Sequence, residues 1–167
     1  MKTRLCKLTL AAALLIFLIP THVSSRSDAF LTRVQGNWQG EGTVFGNAAV
    51  VQIKWEWVLA SKFVKLSLRH EVGGPNNSKQ IFEGQAYYQP QGVDKYVAHW
   101  FDSRGVTFPI KAYVDGNTLT SLWGSPDKEE GKSTYQLIDD STLRVVDSVK
   151  QKDGTFREFS SATLKRK

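Results

Sequence analysis

Two histidines beyond the amino-terminal segment are the side chains best suited to chemistry near neutral pH. His70 shares its strand phase with Val64, Leu66, Leu68 and Val72, whereas the alternate positions 65, 67, 69 and 71 are polar. Because side chains alternate across a strand, the phase predicts that His70 faces the apolar interior. There the imidazole is available to a ligand, a metal or a haem iron, or it is a buried histidine satisfied by hydrogen bonds.

His99 lies in a segment whose two faces are equally apolar. Val97 and Phe101 share its phase, and Ala98 and Trp100 share the opposite phase. The pattern therefore leaves open whether His99 belongs to the interior or to the outer surface.

Three carboxylates lie within strand patterns and are candidates for acid–base chemistry: Glu83, Asp102 and Asp147. A carboxyl group in an apolar cavity has a raised pKa and is able to act as a general base. No catalytic triad or glycine-rich phosphate loop is evident, and the single cysteine is Cys6. With only two histidines after residue 25, the residue types predict no protein metal site.

Tryptophans supply flat apolar surface for a pocket. Trp55 and Trp57 lie two residues apart on one strand face, and Trp100 follows in a later strand. We expect some of these rings to line a site for a flat or apolar molecule.

The elements that position these residues are short strands with a period of two. Ser27 or Asp28 is predicted to cap a short helix ending before Gly36. Strands are predicted from Trp38, over residues 51–58 and 64–72, and then over residues 80–89, 95–102, 106–114, 118–123, 132–137, 142–150 and 155–165. About ten antiparallel strands joined by hairpins predict an all-β meander barrel, wide enough for a ligand-sized cavity.

The first of these strands has an unusual glycine pattern. Gly36 permits a tight turn, Trp38 is a large apolar anchor, and Gly40 and Gly42 remove side chains from one strand face. This spacing predicts a bent strand under which an aromatic ring packs.

Three further segments extend this pattern: residues 56–59 (EWVL), 63–66 (FVKL) and 97–105 (VAHWFDSRG). Together with the Gly-x-Trp-x-Gly-x-Gly start, they resemble the calycin superfamily of lipocalins, fatty-acid-binding proteins and nitrobindins. The resemblance covers residues 34–165 and is closest to a bacterial lipocalin-like family whose function is not agreed. It implies a barrel with a cavity and no particular reaction.

The resemblance also bears on cofactors and on the first strand. Nitrobindins bind haem through a histidine near the carboxyl-terminal end of the barrel, and this chain has none after His99, so haem binding of that kind is not expected. Lipocalins often place an arginine of the last strand over the tryptophan of the first. This implies a structural role for Arg157 against Trp38, with Arg144 as the reserve candidate.

Residues 1–25 have the layout of a secretory signal peptide. Lys2, Arg4 and Lys7 precede the apolar stretch 8–19, and Val23 and Ser25 have the small side chains expected before a cleavage site. Cleavage after Ser25 leaves residues 26–167 as one domain without cysteine and without a stable membrane anchor. The remaining 19 Lys and Arg against 16 Asp and Glu give a formal charge of +3, which gives little support to nucleic-acid binding.

The sequence therefore favours an exported barrel that binds a small, mainly apolar ligand. One alternative is an enzyme that acts on such a ligand through His70 or His99 and a carboxylate. Another is a structural or interaction protein whose barrel is filled by its own aromatic side chains. The size of the cavity, and a histidine–carboxylate pair at its wall, are the features that distinguish the three.

Overall fold

The computed structural model describes residues 26–74 and 78–167. The proposed signal peptide lies outside the described residues, as does the end of the loop predicted after Gly73. One helix, α1 (Arg26–Val34), precedes ten strands among the described residues. The strands are β1 (Gly36–Val44), β2 (Asn47–Val58), β3 (Phe63–Gly73), β4 (Lys79–Pro90), β5 (Lys95–Asp102), β6 (Thr107–Asp115), β7 (Thr118–Gly124), β8 (Glu130–Asp139), β9 (Thr142–Lys150) and β10 (Phe156–Arg166).

The ten strands form a closed antiparallel barrel. Each strand pairs with its neighbours in sequence, and β1 pairs with β10 to close the sheet. Closure leaves no free sheet edge. The predicted all-β meander with a short amino-terminal helix is therefore confirmed.

Helix α1 closes one end of the barrel. Leu31 and Val34 are fully buried, and the Val34 carbonyl accepts a hydrogen bond of 2.8 Å from Trp38 Nε1. Trp38 is 1% exposed, which confirms its predicted role as a buried anchor. Gly36, the first residue of β1, has φ +114°, a value that side chains rarely tolerate.

The cation over Trp38 is Arg166, and the prediction of Arg157 is wrong. The Arg166 guanidinium lies 4.1 Å from the Trp38 ring centroid and also donates to the carbonyls of Arg33, Gln35 and Asp140. In an antiparallel barrel the end of the last strand meets the start of the first, and Arg166 is the register partner of Trp38. Arg157 is the second residue of β10, at the opposite end of the barrel, and Arg144 is exposed.

The space beside Gly40 and Gly42 is filled by the backbone of β10, and not by the aromatic ring that the sequence predicted. A Cβ atom added at Gly40 would lie 2.1 Å from the Thr163 carbonyl oxygen, and one at Gly42 would lie 2.1 Å from that of Ser161. Both contacts come from β10. The two glycines therefore allow the closing strand to approach β1, which is the other role a strand glycine serves.

Candidate functional site

The barrel interior is packed near α1 and hollow towards the other end. The cavity has a volume of about 530 Å³, within the range of roughly 300–1,000 Å³ that is usual for ligand sites. Its wall is mostly apolar, and its open end lies where β2, β4, β6, β8 and β10 begin. We call this open end the mouth.

An aromatic belt runs along the cavity wall, with one ring from each of five consecutive strands, β3 to β7. The centroid distances are 5.9 Å for His70–Phe82, 6.4 Å for Phe82–Trp100 and 5.6 Å for Phe108–Trp123. Trp100 and Phe108 are direct register partners, which joins the two groups. All five side chains line the cavity. The belt consists of His70, Phe82, Trp100, Phe108 and Trp123.

Glycines on neighbouring strands hold the two tryptophans of the belt flat against the wall. A Cβ atom at Gly84 would lie 2.0 Å from the Trp100 ring, and one at Gly131 would lie 2.0 Å from the Trp123 ring. The indole N–H groups also have fixed partners. Trp100 donates to Asp102 at 3.0 Å, and Trp123 donates to Ser133 at 3.1 Å. The orientation of both rings is therefore set by the barrel itself, before any ligand is present.

His70 faces the cavity, as its phase predicts, while Arg69 and Glu71 form ion pairs on the outside. Its side chain is buried at 4% exposure, and burial lowers the pKa of the imidazole to about 4. Its ring lies 5.9 Å from that of Phe82, and among the described residues no side-chain hydrogen bond to the imidazole is found. A neutral imidazole has one donor and one acceptor, and His70, which lines the cavity, has no hydrogen-bonded side-chain partner for them within residues 26–74 and 78–167.

A polar row crosses β7 to β10, and three of its four members line the cavity. It consists of Ser121, Ser133, Asp147 and Ser160, each the direct register partner of the next. All four are buried. The Ser121 hydroxyl is 2.9 Å from the Tyr88 hydroxyl, and Ser133 accepts the Trp123 N–H.

Asp147 is the one ionisable member of the polar row. Its residue is 7% exposed, and burial raises the pKa of the carboxyl group from its ordinary value of 3.8 to about 6. Hydrogen bonds from the hydroxyls of Ser133 and Ser160 oppose that rise, and the charge of Glu158 adds to it. Tyr88 and Tyr135, also buried, have raised pKa values because of burial and therefore stay neutral.

Arg104 occupies the mouth of the cavity. Its guanidinium donates to Asp102 at 2.8 Å, lies 5.6 Å from the Phe82 ring centroid and is 3.8 Å from Glu129 of the β7–β8 loop. Phe45 and Phe159 stack at 5.1 Å on the opposite part of the rim. These contacts give the mouth a charged side and an aromatic side.

The structure brings two of the five predicted binding residues, His70 and Trp100, to the cavity wall. Trp55 lies below the cavity, fully buried between Tyr88 and Tyr135, and Trp57 packs against the core near α1. His99 is exposed on the outer face of β5. The expectation that these three residues line the pocket is therefore corrected.

The candidate carboxylates also separate by position. Glu83 is exposed and pairs with Arg69 on the outer face. Asp102 is engaged by Arg104 and by the Trp100 N–H. Only Asp147 faces the cavity, and the phase of Leu143, Val145 and Asp147 was the sequence signal that could have singled it out.

A second concavity, of about 780 Å³, lies outside the barrel over β1 to β5. Gln52, Lys54, Ser67 and Gln85 line it, together with the exposed ring of Phe101. It is more open to solvent and less apolar than the interior cavity, which is therefore the better candidate site.

Two structural features bear on metals and membranes. Within residues 26–74 and 78–167, no three His, Cys, Asp or Glu side chains come together in a group able to hold a metal ion. In the same part of the chain, no helix has the length and hydropathy needed to span a membrane.

Comparison with known proteins gives structural matches only. No protein-family model and no curated protein matches the sequence. The crystal structure of Rv2717c from M. tuberculosis has a TM-score of 0.65 at 12% identity, over 86% of this chain and 98% of that chain. The S-type phycobiliprotein lyase CPES from Guillardia theta has a TM-score of 0.60 at 11% identity, over 84% and 92%. At these identities the likeness concerns the fold alone, and that fold is a calycin-like β-barrel.

Proposed function

We propose that the protein binds a small, mainly apolar molecule in the interior cavity. The observation that carries this proposal is an apolar cavity of about 530 Å³ into which the buried, unpartnered imidazole of His70 points. A cavity of this volume argues against a barrel filled by its own aromatic side chains. The structural likeness to a phycobiliprotein lyase supports a ligand-binding barrel without defining the ligand.

The test uses N-phenyl-1-naphthylamine, an uncharged dye whose fluorescence rises in apolar surroundings. Val72→Trp places a large ring in the cavity and should weaken dye binding at least tenfold. Glu71→Trp, one residue earlier on the outer face, adds the same ring outside and should leave binding unchanged. Thermal melts of both variants check the fold. Equal dye binding by the two variants would mean that the dye sits elsewhere.

His70 is the group that we propose orients the ligand. His70→Leu keeps the site apolar but removes its donor and acceptor. It should weaken binding of 1-naphthol, whose hydroxyl pairs with the imidazole, and leave binding of naphthalene unchanged. Equal losses for both probes would contradict a polar role for His70.

The enzymatic alternative requires a histidine paired with a carboxylate. Such a pair involving His70 is not formed among the described residues, since the imidazole has no hydrogen-bond partner there and His99 is outside the barrel. Binding without catalysis therefore remains the proposal.

We also propose that the protein is exported after cleavage behind Ser25. We further propose that it belongs to the bacterial lipocalin-like family which its segments 56–59, 63–66 and 97–105 resemble. The support for export is the charged start, the apolar stretch and the small residues before the site. Amino-terminal sequencing of material outside the cytoplasm should begin at Arg26 or within a few residues. Recovery of the intact Met1 end in the membrane fraction would refute export.

A further inference from the structure

The carboxylate of Asp147 is buried on the cavity wall without a cationic partner. Its hydrogen-bond donors are the hydroxyls of Ser133 and Ser160, and no lysine or arginine of the described residues forms an ion pair with it. A buried carboxylate without a counter-charge is costly, and proteins normally pair it or keep it neutral. The cavity beside it is the one direction from which a counter-charge is able to reach it.

The other charged groups around the cavity do not supply that counter-charge. Arg104 is held by Asp102 and faces Glu129, while Arg157 is exposed at the start of β10, next to Glu158. At the mouth, the positive charges of the two arginines are nearly balanced by the negative charges of the carboxylates beside them. His70, Tyr88 and Tyr135 are neutral at pH 7. The interior thus carries one negative charge, at Asp147, when that group is ionised.

The rest of the wall suits an organic cation. The aromatic belt includes two indoles whose planes are fixed against Gly84 and Gly131. Aromatic faces attract ammonium groups and pack against apolar rings, and both effects strengthen out of water. The polar row and the aromatic belt meet at Trp123, which donates its N–H to Ser133 beside Asp147.

We propose that the cavity takes a small aromatic or alicyclic amine in its protonated form. The ammonium group pairs with the Asp147 carboxylate between Ser133 and Ser160, and the apolar body of the ligand packs against the aromatic belt. This inference rests on the proposed function, because it names the chemical class of the molecule bound in the same cavity. A ligand carboxylate is excluded from this position by repulsion from Asp147, and an uncharged ligand leaves that charge unpaired.

Three probes of matched shape test the charge preference: 1-naphthylmethylamine, 1-naphthylmethanol and 1-naphthoic acid. Isothermal calorimetry with the full domain at pH 7.5 should rank the amine first. Its affinity should exceed that of the alcohol by about ten- to a hundredfold, the range expected for a charge-assisted hydrogen bond. The acid should bind more weakly than the alcohol.

Asp147→Asn tests the residue assignment. It should bring the amine down to the affinity of the alcohol and leave the alcohol unchanged. Glu41→Gln removes the same charge from an exposed position on the outer face of β1 and should alter neither affinity. For the unaltered protein, lowering the pH through about 6 should shrink the amine's advantage as Asp147 takes up a proton, while His70, with a pKa of about 4, stays neutral.

The outcomes separate this inference from the proposed function. If the alcohol binds and the amine has no advantage, the cavity binds ligands but the amine assignment is wrong. A preference for the acid would also overturn the assignment and would point to Arg104. If none of the three probes binds, both proposals fail.

Discussion

His70 and Asp147 are predicted to affect stability in opposite directions over the same pH range. Burial lowers the pKa of His70 from 6.5 to about 4 and raises that of Asp147 from 3.8 to about 6. One pKa unit corresponds to about 1.4 kcal/mol, so each group changes the free energy of unfolding by about 3 kcal/mol. Neither shift has the other group among its causes, so the two effects should add.

The sign differs because the two groups bind protons preferentially in different states. Below pH 6.5 the unfolded chain protonates His70 before the folded protein does, so this group makes stability rise as the pH increases from 4 to 6.5. Between pH 3.8 and 6 the folded protein holds a proton on Asp147 that the unfolded chain has lost. This second group makes stability fall as the pH increases over that interval. In the unaltered protein the two contributions to the pH dependence of the free energy of unfolding nearly cancel.

A substitution at either residue removes its own contribution to the pH dependence of stability and leaves that of the other residue. Asp147→Asn should gain about 3 kcal/mol of stability, relative to the unaltered protein, as the pH rises from 4 to 6, and His70→Leu should lose about as much between pH 4 and 6.5. Urea unfolding followed by tryptophan fluorescence at half-unit pH steps measures both. Surface carboxylates contribute equally to the pH dependence of all three proteins. The test therefore compares the free energy of unfolding of each variant with that of the unaltered protein at the same pH. Parallel curves for the three proteins would refute the assignment of the two shifted groups.

Three substitutions test other contacts. Arg166→Ala removes the cation over Trp38 and three hydrogen bonds to carbonyls, so the free energy of unfolding should fall by about 2 kcal/mol in chemical unfolding. In the control, Arg157→Ala, it should fall by less than about 0.5 kcal/mol. Equal losses would contradict the register of β1 and β10. Gly84→Ala pushes the Trp100 ring into the cavity, so the affinity for the dye should fall and the fold should lose about 1–3 kcal/mol of stability. Unchanged affinity would mean that Gly84 does not hold the Trp100 ring against the wall. Ala60→Gly relieves a φ of +55° and should raise stability by up to about 1 kcal/mol; a lower melting temperature would contradict this.

The strand pattern was predictable because burial alternates strictly along most of the barrel. In β3 the inward positions are Val64, Leu66, Leu68 and His70, and a shift of one residue would bury Lys65 and Arg69 instead. That energetic penalty fixes the phase, so the inward direction of His70 follows from sequence alone. In β5, by contrast, both faces carry large apolar groups, and the exposure of His99 depends on which face meets the core.

The position of Arg157 illustrates a feature that the alternation hides. The register of β10 against β9 shifts between Glu158 and Ser160. A β-bulge of this kind changes which face the following residues occupy. Arg157 and Phe159 consequently reach the mouth of the cavity, while Ser160 and Ala162 point inward further along. Nothing in the local sequence marks the bulge, so strict alternation does not predict that Arg157 and Ser160 lie on the same side of β10.

The polar row shows why the site as a whole was less predictable than the fold. Ser121, Ser133, Asp147 and Ser160 are separated by more than ten residues each, and only Asp147 is marked by the phase of its own strand. They become neighbours only through the registers of β7 to β10, which the turns and two register shifts determine. A buried aspartate costs stability wherever it stands, and here two serines in register, Ser133 and Ser160, flank it with hydroxyls beside a cavity. That shared register, more than any single residue, is the reason to look for the missing positive charge on a ligand.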